Sequence, residues 1–389
     1  MKVLFWTFIG FDKHETSEHL LVSVIEQLCK SGHEVHIIQK DRGGDLPSIP
    51  VCLSKYPVTT TVIPFEAASK GNFLARYLKE LAYISKCKKH FKTDFDAVFI
   101  QSNTVAGQAV KAIRKKIPHA KITFNVQDIF PYNLMYSGRI KRNGILFKAL
   151  SKKQRYGYVN SDHVITISED MKDTLINDGV AEDKISVVYN WSYQDESYTN
   201  VDTSSVSNMF NREHFNVVYA GNIGLMQNVD LMVEAARLMK DDNSIRFHII
   251  GNGLYKNKLE DKAREYGLGN ISFWQMQPPE TAPAIYRAAD INVIPLIKDG
   301  FRTALPSKTA TCLACGKPVI FAIGKDSKFG EKANSATGCP VCDADSADEL
   351  TKLIMDIKNK TITTDSVGFF MNNFSKTANS SEYGGIITS

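Results

Sequence analysis

The 389-residue sequence has no run of about eighteen apolar residues, the length a helix needs to cross a bilayer. Its opening, MKVLFWTFIG, reaches Asp12 and Lys13 too soon to read as an export signal. The expectation is a cytosolic chain. Seven cysteines, an odd number in a chain of this kind, argue for reduced thiols and against a disulfide frame. The turn after the first strand, GFDKHETS, lacks G-x-G-x-x-G, so no dinucleotide is expected there. Gly324-Lys325-Asp326-Ser327 fails as a P-loop, with Val319 in place of the upstream glycine and Asp326 where Ser or Thr must bind magnesium. Asp343, Asp345 and Asp348 lack the glycine and terminal Glu of a calcium loop and read as a helix start. No Ser-His-Asp or H-E-x-x-H arrangement is legible. Cys312-x-x-Cys315 and Cys339-x-x-Cys342 have four-thiolate zinc spacing. The first pair falls on a helix of small residues that must press on a sheet, where cysteine serves as a small hydrophobe. No metal is expected.

What the chain does have is a lopsided charge. The net charge is only +5, but residues 1–200 hold 27 basic and 21 acidic residues, against 20 and 21 afterwards. Between Lys70 and Arg155 there are 19 basic and 4 acidic residues, a difference of +15. Such a patch suits an anionic surface. Ile145, Leu146, Phe147 and Leu150 share a span with Lys141, Arg142, Lys148, Lys152, Lys153 and Arg155, a pattern able to lie on an anionic membrane or to form an ordinary surface helix. Nucleic acid is not expected, because no binding module and no exposed aromatic stripe accompanies the charge.

Length alone suggests two domains. In the first half, strand Val3 to Ile9, a polar loop to Thr16, a helix carrying Leu20, Leu21, Val24, Ile25 and Leu28, and strand Glu34 to Gln39 form a βαβ unit. Asp41 to Val62 reads as irregular with short strands. A helix from Asn72 to Phe91 is expected to bury Phe73, Leu74, Tyr77, Leu78, Leu81 and Ile84. Strands Ala97 to Ile100, Lys121 to Gln127 and Val164 to Ser168 alternate with helices Val105 to Lys116 and Ile145 to Tyr158. Asp128 falls just past a strand's carboxyl end, where open parallel sheets bind ligands. The boundary is placed near residue 200. The second half repeats the rhythm, with strands Val217 to Ala220, Arg246 to Ile250, Ile271 to Trp274, Ile291 to Leu296 and Val319 to Ile323. Helices near 229–240, 254–266, 280–288, 306–315 and 346–358 separate or follow them, giving two doubly wound α/β domains. The segment 363–389, with Phe369, Phe370 and Phe374, is expected to pack back on the body.

Chemistry concentrates in Asp299 to Ile320. Pro306 suits a first helical position, and Gly316 with Pro318 stops the helix, which places Lys308 in the first turn. A cation there opposes the helix dipole unless an anion intervenes. No acid occurs from Gly300 to Lys325, while Arg302, Lys308, Lys317 and Lys325 do, so a ligand phosphate is the expected anion. Gly221-Asn222-Ile223-Gly224 and Ile250-Gly251-Asn252-Gly253 follow two strands, and their glycines let backbone approach a phosphate.

The run GNIGLMQNVDLMVEAARLM, the turn IIGNGLYKNKLEDKAREYGLGNISFW, the phrase YRAADINVIPL and the segment LPSKTATCLACGKPVI resemble the retaining nucleotide-sugar glycosyltransferases of family 4, which have the GT-B fold. VQDIFP, SDHVITISEDMKDTL and VVYNWSYQDE are similar to the branch that builds bacterial surface polysaccharides. The resemblance implies two Rossmann-like domains facing across a cleft: 1–200 binding the acceptor, 201–362 binding the donor, and 363–389 returning to the first. It implies a UDP- or GDP-type sugar donor, no obligatory metal, and transfer of a hexosyl or N-acetylhexosaminyl group to a lipid-linked saccharide at the inner face of the cell membrane. Ser307 and Lys308 would contact the donor, Asn222, Ile223 and Gly224 would lie by the diphosphate, and Trp274 would approach the base. Arg302 would assist Lys308, and Asp128 would orient or deprotonate the acceptor. Thr303 and Thr311 stand where the family carries paired glutamates, so Thr311 would offer the ribose a hydroxyl. Met226 and Gln227 replace a basic pair. These departures leave open a degenerate homologue that binds sugar nucleotides or acts as a scaffold.

Overall fold

The computed structural model describes residues 1–12, 17–66, 73–136, 138–142 and 144–389. The expected loop to Thr16 and the helix start at Asn72 run into positions outside that set. The chain divides into two compact units, 1–193 with 376–389, and 194–375.

The first unit alternates β1 (Lys2–Trp6), α1 (Glu18–Lys30), β2 (Glu34–Asp41), β3 (Val58–Pro64), α2 (Phe73–Cys87), β4 (Ala97–Gln101), α3 (Ala106–Lys116), β5 (Lys121–Val126), α4 (Tyr132–Tyr136), α5 (Ile145–Asn160), β6 (His163–Thr166), α6 (Glu169–Asn177) and β7 (Ile185–Val187). The strands form one parallel sheet in the order β3-β2-β1-β4-β5-β6-β7. Right-handed crossovers place α1 on one face, because β1 to β2 runs toward one edge. The later connections run the other way and place α2, α3 and α5 on the opposite face. Central strands buried on both faces need continuous apolar sequence, and β1 and β4 supply Val3-Leu4-Phe5-Trp6 and Ala97-Val98-Phe99-Ile100, all fully buried. The region expected to be irregular with short strands holds β3, whose residues Thr59, Thr60 and Thr61 pair along β2.

Helix α2 corrects one expectation. Its apolar residues cover more of the circumference than one sheet can accept. Tyr77, Tyr83, Ile84 and Cys87 face inward, while Leu74 and Leu78 stand 65% and 56% exposed. Helices α3 and α5 meet through glycine. A Cβ on Gly107 would lie 2.0 Å from the Lys153 carbonyl oxygen, and one on Gly157 would lie 2.7 Å from Gly107 Cα. The buried Gln154 of α5 accepts from the Gly107 N–H at 3.1 Å and donates to the Asn103 carbonyl at 2.6 Å, satisfying the start of α3.

The second unit contains β8 (Phe215–Ala220), α7 (Asp230–Leu238), β9 (Ile245–Ile250), α8 (Lys256–Glu265), β10 (Ile271–Trp274), α9 (Ala282–Ala288), β11 (Ile291–Pro295), α10 (Thr309–Ala314), β12 (Val319–Ala322), α11 (Lys328–Thr337), β13 (Val341–Cys342), α12 (Ala347–Lys358) and α13 (Ser366–Asn373). Its parallel sheet has the order β10-β9-β8-β11-β12-β13. The failed P-loop serves local structure: the Ser327 hydroxyl accepts from the Gly330 N–H at 3.1 Å and caps α11. Ser346 caps α12, with Asp348 in its first turn.

The last helix, α14 (Lys376–Thr388), belongs to the first unit and packs on α1, β4, β5 and β6. The return begins at Lys376, thirteen positions after the expected 363, because α13 packs on α10 and α11 and buries Phe369 and Phe370 in the second unit, with Phe374 just beyond it. The Gly107→Ala variant should lose about 1–3 kcal/mol of stability by overpacking the α3–α5 contact. A urea unfolding curve for the first unit that matches wild type would refute that account of the contact.

Candidate functional site

In the second unit two loops interlock at the carboxyl ends of β8, β9 and β10. The Gly221 N–H donates to Ile250 at 2.9 Å, the Ile223 N–H to Asn252 at 2.9 Å, the Tyr255 N–H to Ile223 at 3.1 Å and the Gly251 N–H to Trp274 at 3.2 Å. Gly251 has φ of 155°, and a Cβ there would stand 1.8 Å from the Gly221 carbonyl oxygen. No side chain fits, so the glycines fix the two turns together. Lys256 ties the Trp274 carbonyl to the same edge at 2.8 Å.

Lys308 arrives beside this edge from the start of α10. Its carbonyl accepts the N–H of Cys312 at 2.9 Å, so it occupies the capping position of a six-residue helix and not a first turn. The charge argument therefore rests on burial. The lysine stem is half-exposed, but Nζ is out of solvent and has no hydrogen-bond partner. It stands 3.7 Å from the centre of the Tyr219 ring, and a Cβ on Gly221 would come within 2.6 Å of it. Burial pushes the ammonium pKa down to about 7, against a small opposing pull from Cys312. An anion brought to Nζ would restore the charged form.

The other candidates divide. Asn222 is exposed and its Nδ2 donates to Gln227 at 3.0 Å. Gly224 lies against the side-chain ends of Gln227 and Asn222, where a Cβ would stand 2.7 Å from Gln227 Oε1 and displace it. Ile223 contributes backbone only: its side chain is buried in the core and its N–H is spent on Asn252. Ser307 is exposed and Thr311 half-buried. Arg302 is corrected as a free cation, because Asp299 at 3.0 Å and Asp326 at 2.5 Å engage it from just outside the acid-free stretch. Lys325 likewise pairs with Glu349. Thr303 is buried, with its hydroxyl on the Gly300 carbonyl at 3.2 Å.

Trp274 is half-buried, and its indole N–H donates to His248 Nδ1 at 3.3 Å. His248 in turn donates from Nε2 to Asn216 at 3.0 Å. Burial, with Arg246 and His214 nearby, holds His248 down to about 4, so it is neutral near pH 7 and accepts the indole hydrogen. The indole keeps only its ring for other contacts. Sequence reasoning passed over both His248 and Tyr219, since each reads as a strand-core residue. Cys312, Cys315, Cys339 and Cys342 are buried thiols outside any disulfide. Among the described residues no three His, Cys, Asp or Glu side chains gather as a metal site. A cavity of about 600 Å³ between the 224–230 turn and α8 includes Gly224 but none of Lys308, Trp274 and Thr311; of its two lining lysines, Lys262 is paired with Asp230 at 2.7 Å and Lys258 lies 5.5 Å from the centre of the Tyr255 ring. We assign the site by the unpartnered ammonium and not by that volume.

In the first unit Asp128 follows β5 at the sheet's carboxyl edge. Its side chain meets solvent, yet surrounding protein pushes its carboxyl up to about 6 with no cation to oppose the shift. Gln127 is committed to the fold: it donates to Asn125 at 2.9 Å and to the Tyr383 hydroxyl at 3.3 Å, and accepts from Asn190 at 2.6 Å. Asp178, at the end of α6, is a second carboxyl raised by burial, with Arg155 opposing.

Residues 17–191 match the family described as Glycosyltransferase Family 4, and residues 201–365 match Glycosyl transferases group 1. The chain consists of two glycosyltransferase-family domains. WcaI of Escherichia coli (strain K12), named for colanic acid biosynthesis glycosyl transfer, is 29% identical over 193 residues, 49% of this chain and 47% of WcaI. The glycosyltransferase WbjE of Pseudomonas aeruginosa is 22% identical over 228 residues, 55% of each chain. The chain thus spans about half the length of these relatives. Among solved structures, Anabaena Alr3699/HepE in complex with UDP superposes with a TM-score of 0.72 at 14% identity, covering 99% of both chains. WaaG, a glycosyltransferase of lipopolysaccharide biosynthesis, superposes with a TM-score of 0.67 at 13% identity over both whole chains. These likenesses, with the two parallel sheets, establish the GT-B fold for this glycosyltransferase-family chain.

The folded lysine loses its proton near pH 7 and the unfolded one near 10.5. Between those values the unfolded chain binds more protons, so this group makes stability climb with rising pH. The melting temperature of Lys308→Met should lack that climb relative to wild type. Parallel pH profiles for the two proteins would show that the lysine is not buried as charged material.

Proposed function

We infer that this protein is a retaining glycosyltransferase that moves a sugar from a UDP- or GDP-type donor to a hydroxyl of a lipid-diphosphate-linked saccharide in surface polysaccharide assembly. The carrying observation is the Lys308 ammonium, buried without a partner beside a glycine turn. A diphosphate is an anion of the right size and charge for that position. Supporting it, the fold neighbour HepE is recorded with UDP and with UDP-glucose, and WcaI is named for colanic acid biosynthesis.

In this reading the bond from the anomeric carbon to the diphosphate oxygen breaks while a bond to the acceptor oxygen forms. Lys308 stabilises charge gathering on the departing diphosphate, with no obligatory metal. Asn222 and Gly224 line the phosphates, Trp274 offers its ring to the base, and Ser307 and Thr311 offer hydroxyls. Asp128 takes the acceptor proton. A carboxylate raised above its ordinary value is a stronger base and is still ionised at neutral pH.

The lipid-linked acceptor finds support in the face built by α2, α3 and α5. These helices carry eleven basic residues and one acid, Glu80, which pairs with Lys40 at 2.7 Å. Leu74, Leu78, Ile145 and Leu146 stand exposed among the cations. An anionic bilayer complements both features, at about 1 kcal/mol per cation near its surface. We place the enzyme at the cytoplasmic face of the membrane as a peripheral protein.

A degenerate homologue that binds donor without turnover is the second reading, favoured by Thr303, whose hydroxyl is spent on Gly300 where the family carries a carboxylate.

Lys308→Ala should lower turnover at saturating donor by about 10²–10³, the usual effect of removing one charge-stabilising donor. Near-wild-type transfer by that variant would sink the donor assignment, and donor binding without transfer to any saccharide would favour the second reading. For the membrane, the full chain should co-sediment with phosphatidylglycerol vesicles at low salt, and Leu74→Ser with Ile145→Ser should reduce it. Equal binding to phosphatidylcholine vesicles would count against electrostatic docking.

A further inference from the structure

Tyr219, near the end of β8, touches both parts of the candidate donor site. Its ring lies under Lys308 Nζ at 3.7 Å. Its hydroxyl donates to the Asn222 carbonyl, and the N–H of the same peptide unit, that of Ile223, donates to Asn252 at 2.9 Å. One peptide of the glycine turn is therefore pinned at both ends, and one pin is the residue that carries the lysine.

A ring is an unusual place to keep a buried cation, and its chemistry explains the choice. A carboxylate at that position would neutralise the ammonium and compete with an incoming anion. The negative face of a ring attracts the ammonium without accepting a full hydrogen bond, so its N–H donors stay unspent. The other titratable groups around Nζ carry no charge at neutral pH: Cys312 on α10 is pushed up to about 12 by burial, and burial also raises the phenols of Tyr219 and of Tyr286 on α9. Tyr286 is itself tied to the Ala220 carbonyl at 3.2 Å.

We propose that Tyr219 is a positioning residue for the donor diphosphate, its ring storing the Lys308 ammonium against the turn and its hydroxyl locking the turn in the form that receives phosphate. This rests on the donor reading above. Tyrosine here does two tasks that phenylalanine or leucine would split: phenylalanine keeps the ring without the lock, and leucine keeps neither.

The test is calorimetric titration of the full-length protein with UDP and GDP, and ligand-observed NMR with uridine and guanosine, for wild type, Tyr219→Phe, Tyr219→Leu, Lys308→Met and Tyr219→Leu/Lys308→Met. Tyr219→Leu should weaken the preferred diphosphate by about tenfold or more while leaving its nucleoside unchanged, and Tyr219→Phe should fall between wild type and Tyr219→Leu. In the Lys308→Met background, Tyr219→Leu should cost less than about threefold, because the two residues act together. An equal loss in both backgrounds, or a parallel loss of the nucleoside, would overturn the proposal and leave the donor reading standing. Failure of wild type to bind either diphosphate would overturn both. If Tyr219→Leu does not fold, Tyr219→Met supplies the ringless variant, and Tyr219→Phe indistinguishable from it would also refute a role for the ring.

Discussion

A cation buried without a counter-ion costs a protein several kcal/mol unless it gives up its proton, and such a cost persists only where something repays it. Lys308 is that cation here: among the described residues its ammonium has no hydrogen-bond partner, and the face of an aromatic ring offsets only part of the cost. The neighbouring bases Arg302 and Lys325 find acids, while Lys308 finds an aromatic ring and neutral thiol and phenol groups. Gly221, at φ of 142°, holds a backbone conformation that side chains rarely adopt. Gly251 has no room for one because the Gly221 carbonyl fills that space. The turns are thus fixed by their own backbone, and Tyr219 of β8 sets the ammonium against them.

The first unit handles its polar groups in the opposite way. Asn125, Gln127, Asn190 and Tyr383 bond among themselves, so the residue just before Asp128 is held by its neighbours while the aspartate is exposed. A rigid strand end carrying one exposed carboxyl is a suitable platform for handling a hydroxyl substrate.

Much of this architecture was legible in the sequence, for reasons that differ by element. The βαβ rhythm of both halves was readable because central strands of parallel sheets are continuously apolar, as Val3 to Trp6 and Ala97 to Ile100 are. Helix α2 was misjudged because Leu74 and Leu78 share the helical spacing of Tyr77 and Ile84, and periodicity cannot say which of two apolar stripes meets the sheet. Lys308 stood out in the sequence through a helix-dipole argument that the short, late-starting α10 does not support; what the fold shows instead is an ammonium buried without a hydrogen-bond partner. Arg302 was counted as free because Asp299 and Asp326 lie just beyond the stretch searched for acids. Tyr219 left no signal at all: a tyrosine in VVYA reads as core, and only the fold brings a lysine 89 positions later onto its ring.

The return of α14 has a consequence for how the protein comes into being. Tyr383, which meets Trp191 edge to face and joins the Asn125 network, leaves the ribosome after every residue of the second unit. During synthesis the first unit waits with an open seam along α1 and β5, while the second can close on itself. The domain begun first therefore closes only after the second unit has been made, when α14 emerges and fills the seam.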